Sequence, residues 1–455
     1  MSRRVRTTGH LLSRRSFLAG AAAVSGALAA PARTIARGAP SDTLLLAAIG
    51  VGGRGGDNLR DLKDTGARIV ALCDVDAQQA AESFKAYPDA VKYTDWRRLL
   101  ERERNIDGVV ISTPDHNHAV IACAAMQFGK HVYSEKPLAR SIWEARQMAS
   151  VAATNHVVTQ MGIQGHAFEG SRRAVEVIRS GVLGDVRALH VWTDRPAGWW
   201  PQGVLRPADT PPVPTTLNWD VWLGPAPNRP FNPAYVPFKW RGFCDFGTGA
   251  IGDMGIHNLD TAYWGLELGT PTHVAVKDYA RGPGERETYP LWSIIELQFP
   301  ARGAHPPVTM TWYDGGKLPP QDLFHGEKLI THDGGSLIVG TKGTLFTRTW
   351  HGGENEKDMF VMLPRKQFEG YQPPEPTLPR VKSHHQEWVD ACRGHGQTLA
   401  PYSYAAVLTE SLLLGNVALR SGKAVEWDPV KMLVTNNPVD AAPFVKPEFR
   451  AGWSL

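Results

Sequence analysis

The sequence predicts an α/β protein that begins with a doubly wound parallel sheet. From Thr43 onward, short continuous apolar runs alternate with segments whose apolar residues recur at helical spacing. The runs are TLLLAAIG (43–50), ARIVALCD (67–74), DGVVIST (107–113), KHVYSE (130–135) and HVVTQMG (156–162). Such runs fit strands buried on both faces, so we expect a parallel sheet covered by helices over residues 43–161.

The second half of the chain predicts a further α/β domain over residues 162–435. Short β-prone runs with glycine turns, such as SIIELQF and VTMTWYDG, are typical of an antiparallel sheet. The last helical run, AAVLTESLLLGNVALRSG, places Gly422 after Arg420, which is a typical helix end. Residues 436–455 are interpreted as an extended tail.

The first forty residues predict an export signal. They contain seven arginines, and no acidic residue precedes Asp42. The apolar run from Phe17 to Ala30 is too short to cross a bilayer. SRRSFL at 13–18 resembles the twin-arginine (Tat) signature, and ALA at 27–29 or APA at 30–32 fits a cleavage site. We therefore expect a signal over residues 1–32, recognition by the Tat machinery and a periplasmic or extracytoplasmic mature protein. An amphipathic helix of the folded domain is the alternative.

Charge and composition exclude several classes of partner. Cleavage removes five arginines and brings the formal net charge from +4 to about −1. No basic stripe interleaved with aromatics is present, so no nucleic-acid partner is expected. No later run is long enough to span a membrane. The four cysteines form no C-x-x-C pair and predict buried thiols rather than zinc ligands, with a disulfide left open.

A glycine-rich turn follows the first predicted strand and opens the first predicted helix. Its sequence, GVGGRG at 50–55, fits the G-x-G-x-x-G pattern of dinucleotide-binding loops. In this pattern one glycine makes the tight turn, another lets the backbone approach a pyrophosphate, and the last brings helix and strand together. The predicted cofactor contacts of the loop are Gly50, Gly52, Gly53, Arg54 and Gly55.

An acidic residue, Asp74, ends the second predicted strand nineteen residues after Gly55. At this position a carboxylate accepts hydrogen bonds from the ribose hydroxyls of the adenosine half of a dinucleotide. The same negative charge would repel the additional phosphate of NADP. The sequence therefore predicts NAD as the cofactor in preference to NADP.

Two further motifs follow the apolar runs at 107–113 and 130–135. They are STPDHNHAV at 112–120 and SEKPLA at 134–139. Because Pro137 disfavours a helical conformation of the residue before it, Lys136 is expected on an irregular loop at the carboxyl edge of the sheet. Doubly wound folds bind their ligands at this edge.

A later stretch, GAIGDMGIHNLD at 249–260, puts Asp253 four residues before His257. If the stretch is helical, both side chains lie on one face, one turn apart. They could then bind a metal, share a proton or pair inside a core. The spacing alone does not choose among these.

Taken together, these motifs resemble those of the Gfo/Idh/MocA family, which includes glucose-fructose oxidoreductase and inositol dehydrogenase. The resemblance depends on the glycine loop, Asp74, TP followed by a histidine at 113–118, EKP at 135–137 and GDMGIH at 252–257. It implies a Rossmann dinucleotide-binding domain, followed by an α/β domain with a large open, mostly antiparallel sheet. The second domain covers the nicotinamide and often builds dimers or tetramers, so a homodimer or homotetramer is expected.

The resemblance also implies roles for individual residues. Lys136 would reach the substrate hydroxyl and the nicotinamide, with Asp253 and His257 lying opposite it. The further cofactor contacts that it implies, besides Lys136, are Thr113, Pro114, His118 and Glu135. Many members carry asparagine where this chain has Asp115, which leaves the role of that side chain open.

Oxidation of a secondary alcohol sends hydride to the nicotinamide while the hydroxyl loses a proton to a base. A histidine with an ordinary pKa near 6.5 suits that task, so His257 is the first candidate for the base. Lys136 could stabilise alkoxide charge, or act as the base if desolvation lowered its pKa. With a cofactor and a third catalytic group in place, a metal at Asp253 and His257 is no longer expected.

Three tryptophan-rich stretches lie before GDMGIH, at 191–202, 218–235 and 238–247, and their prolines predict long loops. Indole faces can cover the C–H faces of a pyranose, while polar side chains bind its hydroxyls. The alternative is that the tryptophans pin the loops to the core. The predicted substrate contacts are Gln164, Arg195, Trp200, Gln202 and Arg241, together with Asp253 and His257.

The function predicted from these features is that of an exported NAD-dependent oxidoreductase acting on a hydroxyl of a sugar or glycoside. Free NAD is scarce outside the cytoplasm, so the cofactor is expected to stay bound and to be recycled. The same residues would also serve a glycosidase or lyase that works by transient oxidation and elimination. A non-catalytic sugar sensor is the third hypothesis.

Overall fold

The computed structural model describes residues 43–284, 286–348 and 360–455, and the predicted signal at 1–32 lies outside them. The strands are β1 (Leu45–Ile49), β2 (Arg68–Cys73), β3 (Val91–Tyr93), β4 (Gly108–Ile111), β5 (His131–Glu135), β6 (Thr159–Gly162), β7 (Val186–Trp192), β8 (His273–Ala280), β9 (Trp292–Phe299), β10 (Val308–Tyr313), β11 (Gly335–Gly340), β12 (Gly343–Thr347), β13 (Phe360–Leu363), β14 (Val425–Asp428) and β15 (Leu433–Val434). The α-helices are α1 (Arg54–Lys63), α2 (Ala81–Ala86), α3 (Trp96–Arg102), α4 (Asp115–Gln127), α5 (Ile142–Asn155), α6 (Glu169–Arg179), α7 (Trp219–Leu223), α8 (Gly249–Leu266), α9 (His384–Cys392), α10 (Tyr402–Ser421) and α11 (Pro438–Val445).

The first six strands form one parallel sheet in the order β3-β2-β1-β4-β5-β6. The central strands β1, β4 and β5 are almost wholly buried, as their continuous apolar runs predict. Strand order reverses between β1 and β4, so the loops after these strands diverge and open a crevice at the carboxyl edge. The predicted doubly wound sheet is confirmed.

The next nine strands form a second sheet in the order β13-β12-β11-β7-β10-β9-β8-β14-β15. Neighbouring strands run antiparallel except for β7 and β10, which are parallel. This sheet confirms the predicted open, mostly antiparallel architecture.

Helix α8, which carries Asp253 and His257, is buried along nearly its whole length. Two glycines let it approach α10 closely. A Cβ added to Gly255 would lie 2.9 Å from a methyl carbon of Leu412, and one added to Gly415 would lie 2.6 Å from Ile251. The two helices therefore pack at close range, which fixes the position of α8.

The chain returns to the first domain after the second sheet. Trp388 of α9 is fully buried in a cluster with Leu46 and Leu59, and Tyr402 of α10 donates a hydrogen bond from its hydroxyl to Ser134 Oγ at 2.7 Å. The last residues are not the extended tail that the sequence predicts. They include α11, whose first residue, Pro438, occupies a position where helices tolerate proline.

None of the helices in the described part of the chain is long and apolar enough to cross a membrane.

Candidate active site

A cavity of about 630 Å³ opens at the carboxyl edge of the parallel sheet. The glycine loop after β1 and Asp74 after β2 line it. Lys136 after β5 and Asp253 and His257 of α8 line the same cavity. The structure thus brings the two groups of predicted site residues together in one cavity.

The glycine loop has the geometry of a phosphate-binding turn. Gly50 has a φ of +76°, which side-chain-bearing residues rarely adopt, and a Cβ at Gly55 would lie 1.8 Å from the carbonyl oxygen of Gly50. Helix α1 begins directly after Gly53, so its N-terminus faces the cavity end where a pyrophosphate would bind. Gly50, Gly52 and Gly53 line the cavity, whereas Gly55 lies behind them and packs helix against strand.

Asp74 lines the same end of the cavity and already stabilises the loop. Its Oδ2 accepts hydrogen bonds from the backbone N–H groups of Val51 at 2.8 Å and Gly52 at 3.2 Å, and its Oδ1 accepts one from Asp76 N at 3.0 Å. Burial raises the pKa of Asp74, although these donors favour its charged form. Oδ1 has lone-pair capacity left for a ribose hydroxyl.

Glu135 occupies the middle of the cavity wall, between the glycine loop and Lys136. Its Oε1 accepts three hydrogen bonds, from Arg54 Nε at 3.0 Å, Asn58 Nδ2 at 2.9 Å and Gln164 Nε2 at 3.0 Å. Arg54 and Gln164 both line the cavity, and both are held by this carboxylate. Arg54 and Gln164 therefore position Glu135, and the donors that they give to it are not available to a ligand.

The TP motif presents Thr113 and Pro114 to the cavity, but His118 lies behind them. The ring of His118 is fully buried between two backbone carbonyl oxygens, with Nε2 at 2.8 Å from Thr113 O and Nδ1 at 2.9 Å from Pro137 O. His118 therefore ties the loop after β4 to the loop after β5. It is a positioning residue, not the direct cofactor contact that the resemblance implies. Thr113 Oγ1 is buried without a hydrogen-bond partner among the described residues, as expected of a group that meets a cofactor.

Lys136 and Asp253, which both line the cavity, form an ion pair. Lys136 Nζ donates to Asp253 Oδ1 at 2.9 Å and to the backbone oxygen of the same residue at 2.8 Å. The lysine is thus in contact with Asp253, not opposite it as the resemblance implies. Both partners are largely buried, with side-chain exposures of 14% and 6%.

Two arginines complete the group around Asp253. Arg195 donates to Oδ2 from one guanidinium nitrogen at 3.1 Å, and Arg241 donates from Nε to Oδ1 at 3.3 Å. Burial alone would raise the pKa of Asp253, but the charges of Lys136, Arg241 and Arg195 hold it well below its ordinary value. Asp253 is therefore an anion at neutral pH, and because its oxygens already accept from three cations it is a weak proton acceptor.

His257 lies one turn further along α8, with 3% of its surface exposed, and it lines the cavity. Burial lowers its pKa well below the ordinary value of 6.5, and the nearby positive charge of Lys136 lowers it further. The imidazole is consequently neutral at pH 7 and able to accept a proton. His257 therefore keeps the property expected of the first candidate for the base.

Asp115 is the one carboxyl of the site whose protonation is balanced near neutrality. It is the first residue of α4, and its Oδ2 accepts a hydrogen bond from Thr248 Oγ1 at 2.9 Å. Burial raises its pKa to about 7, and the negative charge of Asp253 adds to the effect. The sequence shows that this chain has an aspartate at 115 where many members of the family have an asparagine, but it does not show that this side chain is buried.

The tryptophan-rich stretches are mostly irregular, as predicted, and fold over the cavity. Trp199 and Phe238 line its rim with 44% and 38% of their surfaces exposed. Trp200 and Gln202, which the sequence predicts as substrate contacts, do not line the cavity. Trp200 Nε1 donates to Gln202 Oε1 at 2.9 Å, and Gln202 Nε2 donates to Pro290 O at 2.6 Å, so this pair fastens its own loop.

Within the described ranges, no group of three or more His, Cys, Asp or Glu side chains is arranged to hold a metal ion. All four cysteines lie in this part of the chain, and all of them are free thiols.

Comparison with known proteins identifies two matching family models. Residues 44–163 match the NAD-binding Rossmann fold of the Gfo/Idh/MocA oxidoreductase family, and residues 172–305 match its C-terminal α/β domain. Together they cover more than half of the chain. The first match confirms the predicted NAD cofactor.

Individual relatives match over shorter stretches. Inositol 2-dehydrogenase of Salmonella typhimurium is 30% identical over 152 residues, which are 32% of this chain and 45% of that protein. A glycosyl hydrolase family 109 protein of Shewanella pealeana is 31% identical over 155 residues, 32% of this chain and 34% of that protein. The match therefore spans less than half the length of either relative.

Among solved structures, aldose-aldose oxidoreductase from Caulobacter crescentus has the same fold. Its TM-score is 0.55 at 17% identity, and the alignment covers 85% of this chain and 100% of that one.

Proposed function

The chain belongs to the Gfo/Idh/MocA oxidoreductase family, and on this premise we propose that it oxidises a hydroxyl group of a sugar or glycoside with NAD. The observation that carries the proposal is the position of Lys136, Asp253 and His257. They line the same cavity as the glycine loop.

The residues present fit the cofactor. The loop at Gly50 and the N-terminus of α1 would hold its pyrophosphate, Asp74 its adenosine ribose, and Thr113 and Glu135 the nicotinamide half. When bound, NAD supplies the acceptor for hydride from the carbon that bears the hydroxyl. The remaining work belongs to the side chains around that hydroxyl.

His257 accepts the hydroxyl proton, because its lowered pKa keeps it neutral and its ring faces the cavity. Lys136 stabilises the negative charge that develops on the substrate oxygen. Asp253 holds the Lys136 ammonium in place through the 2.9 Å ion pair. The burial of all three strengthens these electrostatic interactions, since the local dielectric is low.

A second candidate function is glycoside cleavage by transient oxidation. It is favoured by the relative named as a glycosyl hydrolase family 109 protein. Oxidation of the hydroxyl-bearing carbon to a ketone acidifies the adjacent C–H, the glycosidic group is eliminated, water adds to the alkene, and the ketone is reduced again. The hydride returns to the same carbon, so no net oxidant is consumed.

Both functions are tested on one preparation. The purified protein is examined for bound NAD, and then offered a panel of sugars and aryl glycosides while nicotinamide absorbance and aglycone release are followed. Reduction of NAD by a free sugar supports the dehydrogenase. Aglycone release without added NAD identifies the glycosidase. No change in nicotinamide absorbance and no aglycone release would favour a sensor.

Matched variants test the roles of the residues. Lys136→Met should lower the rate by roughly 100-fold or more, in the range for loss of one preorganised electrostatic group. Lys85→Met, an exposed lysine on α2, is the control and should leave the rate unchanged. Equal rates for the two variants would refute the role of Lys136.

We propose in addition that the protein is exported, that it keeps its NAD bound, and that it forms a homodimer or homotetramer. The Tat-like SRRSFL stretch supports export to the periplasm or another extracytoplasmic space, and scarcity of free NAD there supports a bound, recycled cofactor. N-terminal sequencing of the protein from fractionated cells tests the predicted cleavage after residue 29 or 32. Light scattering of the purified protein tests the predicted homodimer or homotetramer.

A further inference from the structure

We infer that the part of the cavity lined by Lys136, Arg195, Arg241 and Asp253 is built for an anionic sugar, a ring that bears a carboxylate, rather than for a neutral one. The inference rests on the proposed function and deepens it by naming the substrate class. It starts from the three cations, Lys136, Arg195 and Arg241, that surround one carboxylate, Asp253.

The site holds more positive charge than its own residues neutralise. Three largely buried cations face the single negative charge of Asp253, and Asp115, whose pKa is about 7, supplies at most one more. The other acidic residues of the cavity wall serve different partners. Glu135 and Asp57 pair with Arg54, Asp74 binds the glycine loop, and Asp76 accepts a hydrogen bond from the backbone N–H of Gln78. The oxidised nicotinamide brings a further positive charge.

One cation would suffice to hold Asp253, so the other two call for a second explanation. Desolvating a charge without a partner is costly, and buried ions are therefore paired or matched by a ligand. With Asp115 ionised, the side chains leave one positive charge and the nicotinamide adds another. A carboxylate on the substrate would lower this net charge without reversing its sign.

Both arginines have donors left for such a group. Among the described residues, the guanidinium of Arg195 gives one hydrogen bond, to Asp253, and that of Arg241 gives two, to Asp253 and to Phe238 O at 3.0 Å. A guanidinium carries five N–H donors in one plane. Planar pairs of such donors match the two oxygens of a carboxylate.

Aromatic rings hold the two guanidinium planes in position. The central carbon of Arg195 lies 3.9 Å from the centre of the Trp199 ring, and that of Arg241 lies 4.0 Å from Phe238 and 4.3 Å from Trp240. Stacking leaves the in-plane N–H groups open toward a ligand. The exposed parts of Trp199 and Phe238 that the two guanidinium groups do not cover offer a surface for the C–H face of a pyranose. An apolar wall beside paired arginines fits an acidic sugar better than a small acid without a ring.

The test compares binding of matched acidic and neutral sugars to the NAD-loaded protein by titration calorimetry. The probes are the methyl glycosides of glucose, galactose and mannose and the corresponding uronic acids, with glucose 6-phosphate as a separate arm. At least one uronide should bind roughly tenfold more tightly than its neutral partner, which corresponds to about 1.4 kcal/mol. The preference should weaken as salt is raised.

The double variant Arg195→Gln and Arg241→Gln should reduce the preference to roughly twofold or less, with NAD affinity checked to show that it folds. Arg187→Gln, an exposed arginine on β7, is the control and should keep the full preference. Neutral and acidic partners that bind equally well to the unmodified protein would overturn the inference, and so would tighter binding of the phosphate than of every uronide.

The outcomes separate this inference from the proposed function. A protein that prefers a uronide but transfers no hydride refutes the function and keeps the anionic site. A protein that oxidises neutral sugars without any preference for binding their acids supports the proposed function and refutes the anionic site.

Discussion

The buried carboxyl of Asp115 allows a quantitative prediction. Its pKa in the folded protein is about 7, against an ordinary value of 3.8, because burial disfavours the charged form. The difference corresponds to roughly 4 kcal/mol at about 1.4 kcal/mol per pKa unit. Since the pKa is raised on folding, the carboxyl's contribution to stability is fully present below pH 3.8 and is lost as pH rises through about 7.

Asp115→Asn removes this titration and keeps an oxygen that can accept the hydrogen bond from Thr248 Oγ1. The variant should therefore gain stability relative to the parent as pH rises, by roughly 4 kcal/mol between pH 4 and pH 8. Urea unfolding followed by tryptophan fluorescence at four or five pH values measures the difference.

Asp185→Asn, on the surface, controls for the loss of one carboxylate. A stability difference between Asp115→Asn and the parent that does not change with pH would refute the reasoning, because the carboxyl would then titrate alike in both states.

Three further predictions concern the cofactor and the base. Gly55→Ala should weaken NAD binding, measured by fluorescence titration, by roughly 100-fold or about 2.7 kcal/mol, because its Cβ would lie 1.8 Å from Gly50 O. Gly56→Ala is the control: its Cβ meets nothing closer than 3.6 Å, so this variant should bind NAD normally. Asp74→Asn keeps an acceptor for the loop amides but loses the negative charge that repels the phosphate of NADP. The preference of the variant for NAD over NADP should therefore fall by roughly tenfold, and an unchanged ratio of the two affinities would contradict the role assigned to Asp74. The third prediction is measured on Asp115→Asn, because this variant lacks the Asp115 carboxyl that titrates near pH 7. Since the pKa of His257 lies well below 6.5, the rate of this variant should show no inflection between pH 6 and pH 8. A histidine-like inflection there would exclude His257 as a neutral base.

The parallel sheet could be predicted because its central strands are buried on both faces and read as continuous apolar runs. Strand β3, Val91–Tyr93, could not, since it has three residues, two of them exposed, at the edge of the sheet. The helix α11 was missed for another reason. Its two prolines, Pro438 and Pro443, favour an extended interpretation, although proline is acceptable in the first turn of a helix.

The members of the site could be predicted from motifs, but their mutual contacts could not. Lys136 and Asp253 are 117 residues apart, so their ion pair depends on how the two domains pack. The sequence also offers Trp199 and Trp200 as equivalent neighbours. Only the path of the loop decides that Trp199 lines the cavity and that Trp200 turns away toward Gln202.

The position of Lys136 is fixed from behind by residues that no motif indicates. Asn58 of α1 donates hydrogen bonds to Ser112 Oγ and Glu135 Oε1, both at 2.9 Å, and its own Oδ1 lies 3.0 Å from Nε2 of His385 on α9. Burial lowers the pKa of His385 well below its ordinary value, so this imidazole is neutral and its Nε2–H is the donor.

His385 of the SHHQEW stretch is buried, and its ring stacks on that of Tyr133 with the ring centres 4.8 Å apart. Segments from β4, β5, α1 and α9 thus converge on Glu135, the residue directly before Lys136. Because its carboxylate is held by three donors, the end of β5 has little freedom, and the lysine side chain starts from a fixed backbone position toward Asp253. The return of the chain to the first domain through α9 therefore completes the support of the loop that carries the lysine.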